Sequence, residues 1–168
     1  MRRIAALAAC ALATGCAVNF PQNAQEFREQ IPGATFGQKK TFEAKRPFRE
    51  VAKTFRAKAP ECLSVSVRTV SQSQTSYQNI LTTYKPTVLV GAQKAEIHVQ
   101  RHYQGNVIIP GKEPEGGLYV VVADATPIDR GRTRIDIYGP THGADAIIHA
   151  ITGWATGENV GCPDMTKN

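Results

Sequence analysis

Apolar positions recur with a helical period between Pro47 and Pro60, with a period of two over much of residues 63–138, and with a helical period again from Gly143 to Thr156. In the first stretch Phe48, Val51, Ala52, Phe55 and Ala59 take the i, i+3, i+4, i+7 spacing of one buried helix face, and Arg49, Lys53 and Arg56 take the opposite face. Pro47 suits a first turn, where its missing N–H is harmless, and Pro60 is expected to end the helix. In the last stretch Ala144, Ile147, Ile148, Ile151 and Ala155 form the apolar stripe, Trp154 borders it, and Gly157 is the expected C-cap.

Between the helices Leu63, Val65 and Val67 alternate with Ser64, Ser66 and Arg68, the pattern of a half-buried strand. Further strands are expected at 76–84, 87–90, 95–103, 118–126 and 133–138. The run from Leu118 to Ala123 is apolar on both faces, as a central strand requires, and Asp129-Arg130-Gly131 turns the chain into the next strand. Short connections favour antiparallel pairing. The expected fold is therefore α+β, an antiparallel sheet of about five or six strands with two helices packed on one face, in a single domain over residues 41–168. Residues 17–40 carry Asn, Gln, Pro and Gly with no sustained period and are expected to form a tether reaching about 25–30 Å. Phe20, Phe27 and Phe36 argue that this tether docks in part on the domain.

Composition sets bounds on this picture. At 168 residues and 42% hydrophobic the chain can bury one core, and its single long apolar run, at the N-terminus, is too short for a stable membrane span. The net charge of +6 is unevenly placed: residues 28–58 hold nine basic and three acidic side chains, whereas residues 59–168 are close to neutral. Such a cluster is either a solvated helix face or a surface drawn to anions.

The first sixteen residues carry an address. Met1, Arg2 and Arg3 form a positive start, Ile4–Ala13 is an unbroken apolar run, and small residues follow, the pattern of an export signal. Leu12-Ala13-Thr14-Gly15-Cys16 resembles the lipobox of bacterial lipoproteins. The resemblance implies removal of residues 1–15, a diacylglyceryl group on the Cys16 sulfur and acylation of its new amino group with a chain such as palmitate. It covers about a tenth of the chain and departs from the strongest pattern at Ala13, where Leu is commonest. Cleavage after Ala13, which would release a soluble protein, is the competing outcome. Cysteine arithmetic separates the two, because either cut discards Cys10 and leaves Cys16, Cys62 and Cys162. Lipidation of Cys16 leaves an even pair, and Cys62 with Cys162, each expected just after a helix, is the expected disulfide in an oxidising compartment. Two or three acyl chains make anchoring effectively permanent. In that family Ala17 after the lipidated Cys implies the outer membrane, facing the periplasm, in a bacterium that has one.

Candidate chemistry is sparse. On the strand 95–103, His98 and His102 share a face but stand about 13 Å apart, too far to bind one ion together. His149 lies one helical turn after Asp145 and is expected to form a weak local pair, and His142 is the remaining histidine. No nucleophile elbow, phosphate-binding glycine loop or HExxH is present. Asp124, at the end of the apolar strand, is expected to cap a turn or pair with an arginine rather than to catalyse, and Asp129 and Asp136 are further carboxylates. No metal, cofactor or catalytic residue is expected, and nucleic acid is a poor partner. The expected role is that of a lipid-anchored envelope protein, a non-enzymatic binding or assembly module whose partner is an envelope protein or an anionic surface met by Arg49, Lys53 and Arg56. The alternative is a carrier holding an apolar or lipid ligand between sheet and helix.

Overall fold

The computed structural model of the chain describes residues 19–73 and 77–167. The expected export signal, Cys10 and the expected lipidation site Cys16 lie outside the described residues. In chain order the elements are α1 (Ala24–Gln30), a single 3-10 turn (Ile31–Gly33), β1 (Gly37–Ala44), α2 (Phe48–Leu63), β2 (Ser66–Gln72), β3 (Tyr77–Val90), β4 (Ala95–Gln104), β5 (Leu118–Pro127), β6 (Thr133–Pro140), α3 (Asp145–Thr156) and a second 3-10 turn (Met165–Lys167). The six strands form one antiparallel sheet in the order β1-β6-β5-β4-β3-β2. The fold is α+β, as the patterning predicts.

Helices α2 and α3 cover one face of this sheet. Val51, Phe55, Ala59 and Leu63 of α2 and Ile147, Ile151 and Trp154 of α3 pack with Ile97, Val99, Val121, Ala123, Ile135 and Ile137 in one core whose members are almost wholly removed from water. Trp154 lies inside this core rather than at its border. Alternation on β5 sends Val122 to the other face, where it meets Ala24 and Phe27 of α1. Val120 is skipped between the pairs Val99↔Val121 and Gln100↔Tyr119 and is the extra residue of a β-bulge. The buried residues, the six strands and the three α-helices named here all lie within residues 19–167, so this segment carries its own core.

Four features depart from the sequence pattern. Residues 24–40 are not a free tether. Phe27 is buried, and GQKKTFEA forms the edge strand β1 on β6, so the domain begins near residue 23 rather than 41. Pro60 does not end α2, which continues to Leu63. Its ring removes one N–H bond to the preceding turn, and burial of Ala59, Cys62 and Leu63 holds the last turn in place. The alternation that begins at Leu63 therefore starts on a helix end, and β2 begins only at Ser66. Lastly, the strands expected at 76–84 and 87–90 are one strand, β3, through Pro86. β2 pairs with β3 only as far as Thr83, so Pro86 sits where β3 is an edge and no ladder donor is lost.

The C-terminal segment is fastened at three points. Gly157 takes φ +86, the left-handed cap conformation that glycine adopts most easily, and its N–H donates to the Gly153 carbonyl. The Arg46 guanidinium donates to the Trp154 carbonyl at 2.8 Å, placing a cation on the negative end of α3. Cys62 and Cys162 form a disulfide with Cα atoms 4.8 Å apart across 100 residues of sequence.

Candidate functional site

Arg49, Lys53 and Arg56 lie on the exposed flank of α2 that faces the β3–β4 turn. Their i, i+4, i+7 spacing makes them one stripe along the helix. Beside the stripe runs a hollow of about 340 Å3 between α2 and the turn, floored by Phe48, Ala52, Val90 and Ala92. A second hollow of the same volume adjoins it at Phe48, Arg49 and Ala92 and reaches Pro127 and Arg130 on the β5–β6 turn. The turn that makes one wall is tight, with the Gly91 N–H donating to the Lys94 carbonyl at 2.8 Å. Among the described residues no carboxylate comes within ion-pair distance of Arg49, Lys53, Arg56 or Arg130. Glu50, the one acid of the helix's first turn, pairs with none of them. Helical periodicity exposes the three cations of α2 in the sequence. The apolar floor beside them does not show there, because Val90 and Ala92 come from a hairpin about forty residues away.

A second cluster lies on the opposite face of the sheet, beneath α1. Glu96 on β4 and Asp124 on β5 are direct cross-strand partners. Two carboxylates so placed repel one another unless a cation stands between them. Arg28 of α1 supplies it: its Nε donates to Asp124 Oδ2 at 2.8 Å, and its Nη2 donates to Asp124 Oδ1 at 2.7 Å and also meets Glu96 Oε2. Lys94 Nζ lies 3.3 Å from a carboxylate oxygen of each acid, and His98 Nε2 lies 2.9 Å from Glu96 Oε2. Burial alone would raise the Glu96 carboxyl's pKa, but hydrogen bonds from His98 and Arg28 and the charges of Arg28 and Lys94 overcome it and hold it at about 2. Each charged group of the cluster is paired with another member. Its work is to fasten α1 to the sheet, and Asp124 is paired with an arginine, as expected of a carboxylate ending a central strand. Arg28 itself was hidden in a segment with no period.

The remaining candidates separate. His98 is bound to Glu96, whereas His102 Nδ1 lies 3.0 Å from Glu113 Oε1, so the two histidines of β4 serve different carboxylates. Asp145 accepts from the Gly143 N–H at 3.3 Å, and the expected pair with His149 does not form. Asp129 closes its own turn by accepting from the Gly131 and Arg132 N–H groups, and Asp136 is held by Thr41, Lys39 and Arg134. Glu61 approaches Cys62 and Cys162, but those sulfurs are bonded to each other and offer no thiolate to a metal. No helix among the described residues is long and apolar enough to cross a membrane.

No protein-family model matches the chain, and no curated protein matches it. Among solved structures it is similar to a conserved protein from Geobacillus kaustophilus, at 13% identity over 72% of this chain and 87% of that one, with a TM-score of 0.29. At that score the likeness carries no argument.

Proposed function

We propose that this chain is a lipid-anchored protein of the bacterial envelope, held by Cys16, whose folded domain is a non-enzymatic binding module that presents α2 to an anionic envelope surface. The observation that carries the binding role is the row Arg49, Lys53 and Arg56, exposed on one helix flank with no acidic partner among the described residues. Anchoring rests on the export signal and the Leu12–Cys16 motif. Near an anionic membrane each such side chain contributes roughly 1 kcal/mol, and the acyl chains supply the permanent attachment. The layer between the sheet and α2/α3 is filled by the core, so a carried ligand would take the open groove beside α2 rather than an enclosed cavity.

The test uses residues 19–168 with vesicles. The domain should sediment with vesicles containing phosphatidylglycerol at low salt and be released near 1 M salt, where screening shortens to about 3 Å. Equal binding to neutral vesicles, or no binding, would remove the surface role.

A further inference from the structure

We infer that the groove between α2 and the β3–β4 turn is a binding site for a single-chain anionic amphiphile drawn from the adjoining membrane. Its alkyl chain would lie on Phe48, Ala52, Val90 and Ala92, and its anionic head would be held by Arg49, Lys53 and Arg56. The inference rests on the envelope reading only for where the ligand comes from. The site itself follows from charge, shape and lining.

The charge argument begins with the helix. Arg49 and Lys53 stand at i, i+4 and Lys53 and Arg56 at i, i+3, spacings at which like charges destabilise a helix. Arg49 also falls in the first turn, where the helix dipole disfavours a cation. Elsewhere Lys39, Lys58, Lys94, Arg28, Arg132 and Arg134 have carboxylate partners, and Arg46, Arg68 and Arg101 rest on a carbonyl, an amide and a ring, whereas this stripe sets three cations side by side with no carboxylate among the described residues. Three neighbouring cations left unpaired at an unfavourable helix position have their natural complement in a bound anion.

The lining distinguishes an amphiphile from a bare anion. A phosphate site would converge polar donors, whereas this floor is two small alanines, a valine and a phenylalanine, with the cations along one rim. Apolar floor and charged rim match a molecule with one alkyl chain and one charged end. The volume restricts the choice further. About 340 Å3 lies at the bottom of the range for small-molecule pockets, roughly 300–1,000 Å3, enough for one chain but not for a diacyl lipid withdrawn whole. The groove is open along its length, so such a chain can enter from the side without the core being opened.

The probe is monododecyl phosphate below its micelle concentration, titrated into residues 19–168 by calorimetry, with dodecyl maltoside and inorganic phosphate as comparisons. The inference expects dodecyl phosphate to bind at least tenfold more tightly than either comparison, with amide shifts at Gly91 and Ala92. Ala92→Trp, which fills the groove from an exposed turn, and Lys53→Glu, which reverses the central charge, should each weaken binding at least tenfold without moving the urea midpoint. Lys85→Glu, on β3 away from the groove, should leave it unchanged. Equal affinity for dodecyl maltoside, equal affinity for inorganic phosphate, or full binding by Ala92→Trp would each overturn the inference. Vesicle binding that survives in Ala92→Trp while dodecyl phosphate fails to bind wild type would sink the groove site and leave the surface role standing. Tight dodecyl phosphate binding without any vesicle binding would do the reverse.

Discussion

Replacing Arg28 with alanine removes the more deeply buried of the two cations that bridge Glu96 and Asp124. Both acids remain opposed on adjacent strands, with side chains only 20% and 8% exposed, and Lys94, itself 38% exposed, is left as their partial counter-charge. Breaking a buried ion pair by removing one partner costs about 3–5 kcal/mol, and the surviving Lys94 places the expected loss at the low end, about 3 kcal/mol at pH 7. The Glu96 carboxyl gives an upper bound on its own share of that loss. Its pKa is lowered from 4.5 to about 2 in the fold, and at about 1.4 kcal/mol per unit that is also about 3 kcal/mol, shared among Arg28, His98 and Lys94. Because the folded value is the lower one, this stability is fully present above about pH 4.5 and drains away as pH falls toward 2. The variant should therefore be much weaker than wild type at pH 7 and approach it near pH 2, where the carboxylates become neutral. The single tryptophan, Trp154, is buried in the core and reports unfolding, so urea titrations at pH 7, 4 and 2.5 give the comparison directly. A loss below 1 kcal/mol at pH 7, or a loss that does not shrink with acid, would refute the assignment of this cluster as the fastening of α1.

Other features give shorter predictions. Cys162→Ser breaks the disulfide at its exposed end, and opening a loop of 100 residues should reduce stability by roughly 4–5 kcal/mol, read as a lower urea midpoint that matches reduced wild type. An unchanged midpoint would mean that the crosslink does not constrain the unfolded chain. Gly157→Ala places a side chain at φ +86 against the Arg46 guanidinium and should cost about 1 kcal/mol or more, measured in the same titration. Arg49→Glu with Lys53→Glu should abolish sedimentation with anionic vesicles while leaving the urea midpoint within about 0.5 kcal/mol, since both side chains are exposed.

The pattern of positions carries the architecture where burial is one-sided and continuous. The stripes of α2 and α3, the two-faced apolar run of β5 and the Asp129 turn all follow from period and turn chemistry, and each is where the pattern puts it. The N-terminal segment is different. β1 is a lysine-rich edge strand with Phe42 and Ala44 as its main apolar content, so it has little periodicity to display, and α1 is seven residues long with only Ala24 and Phe27 buried. Pro60 and Pro86 mislead for a related reason. Whether a proline breaks an element depends on whether a partner needs its N–H, and that is a fact about pairing in three dimensions. The candidate site divides the same way. The cations Arg49, Lys53 and Arg56 are visible on the helical period, while the groove floor and the Arg28 fastening depend on contacts between distant segments.

The proposed attachment at Cys16 underlies the proposed envelope role, and one measurement addresses it most directly. The mature protein, extracted with detergent from membranes of cells making the full chain, would be analysed by intact mass and by mass spectrometry of its N-terminal peptide. The account predicts a chain beginning at Cys16, with a diacylglyceryl group on its sulfur and the protein confined to the membrane fraction. A soluble protein beginning at Thr14 with an unmodified cysteine would contradict it.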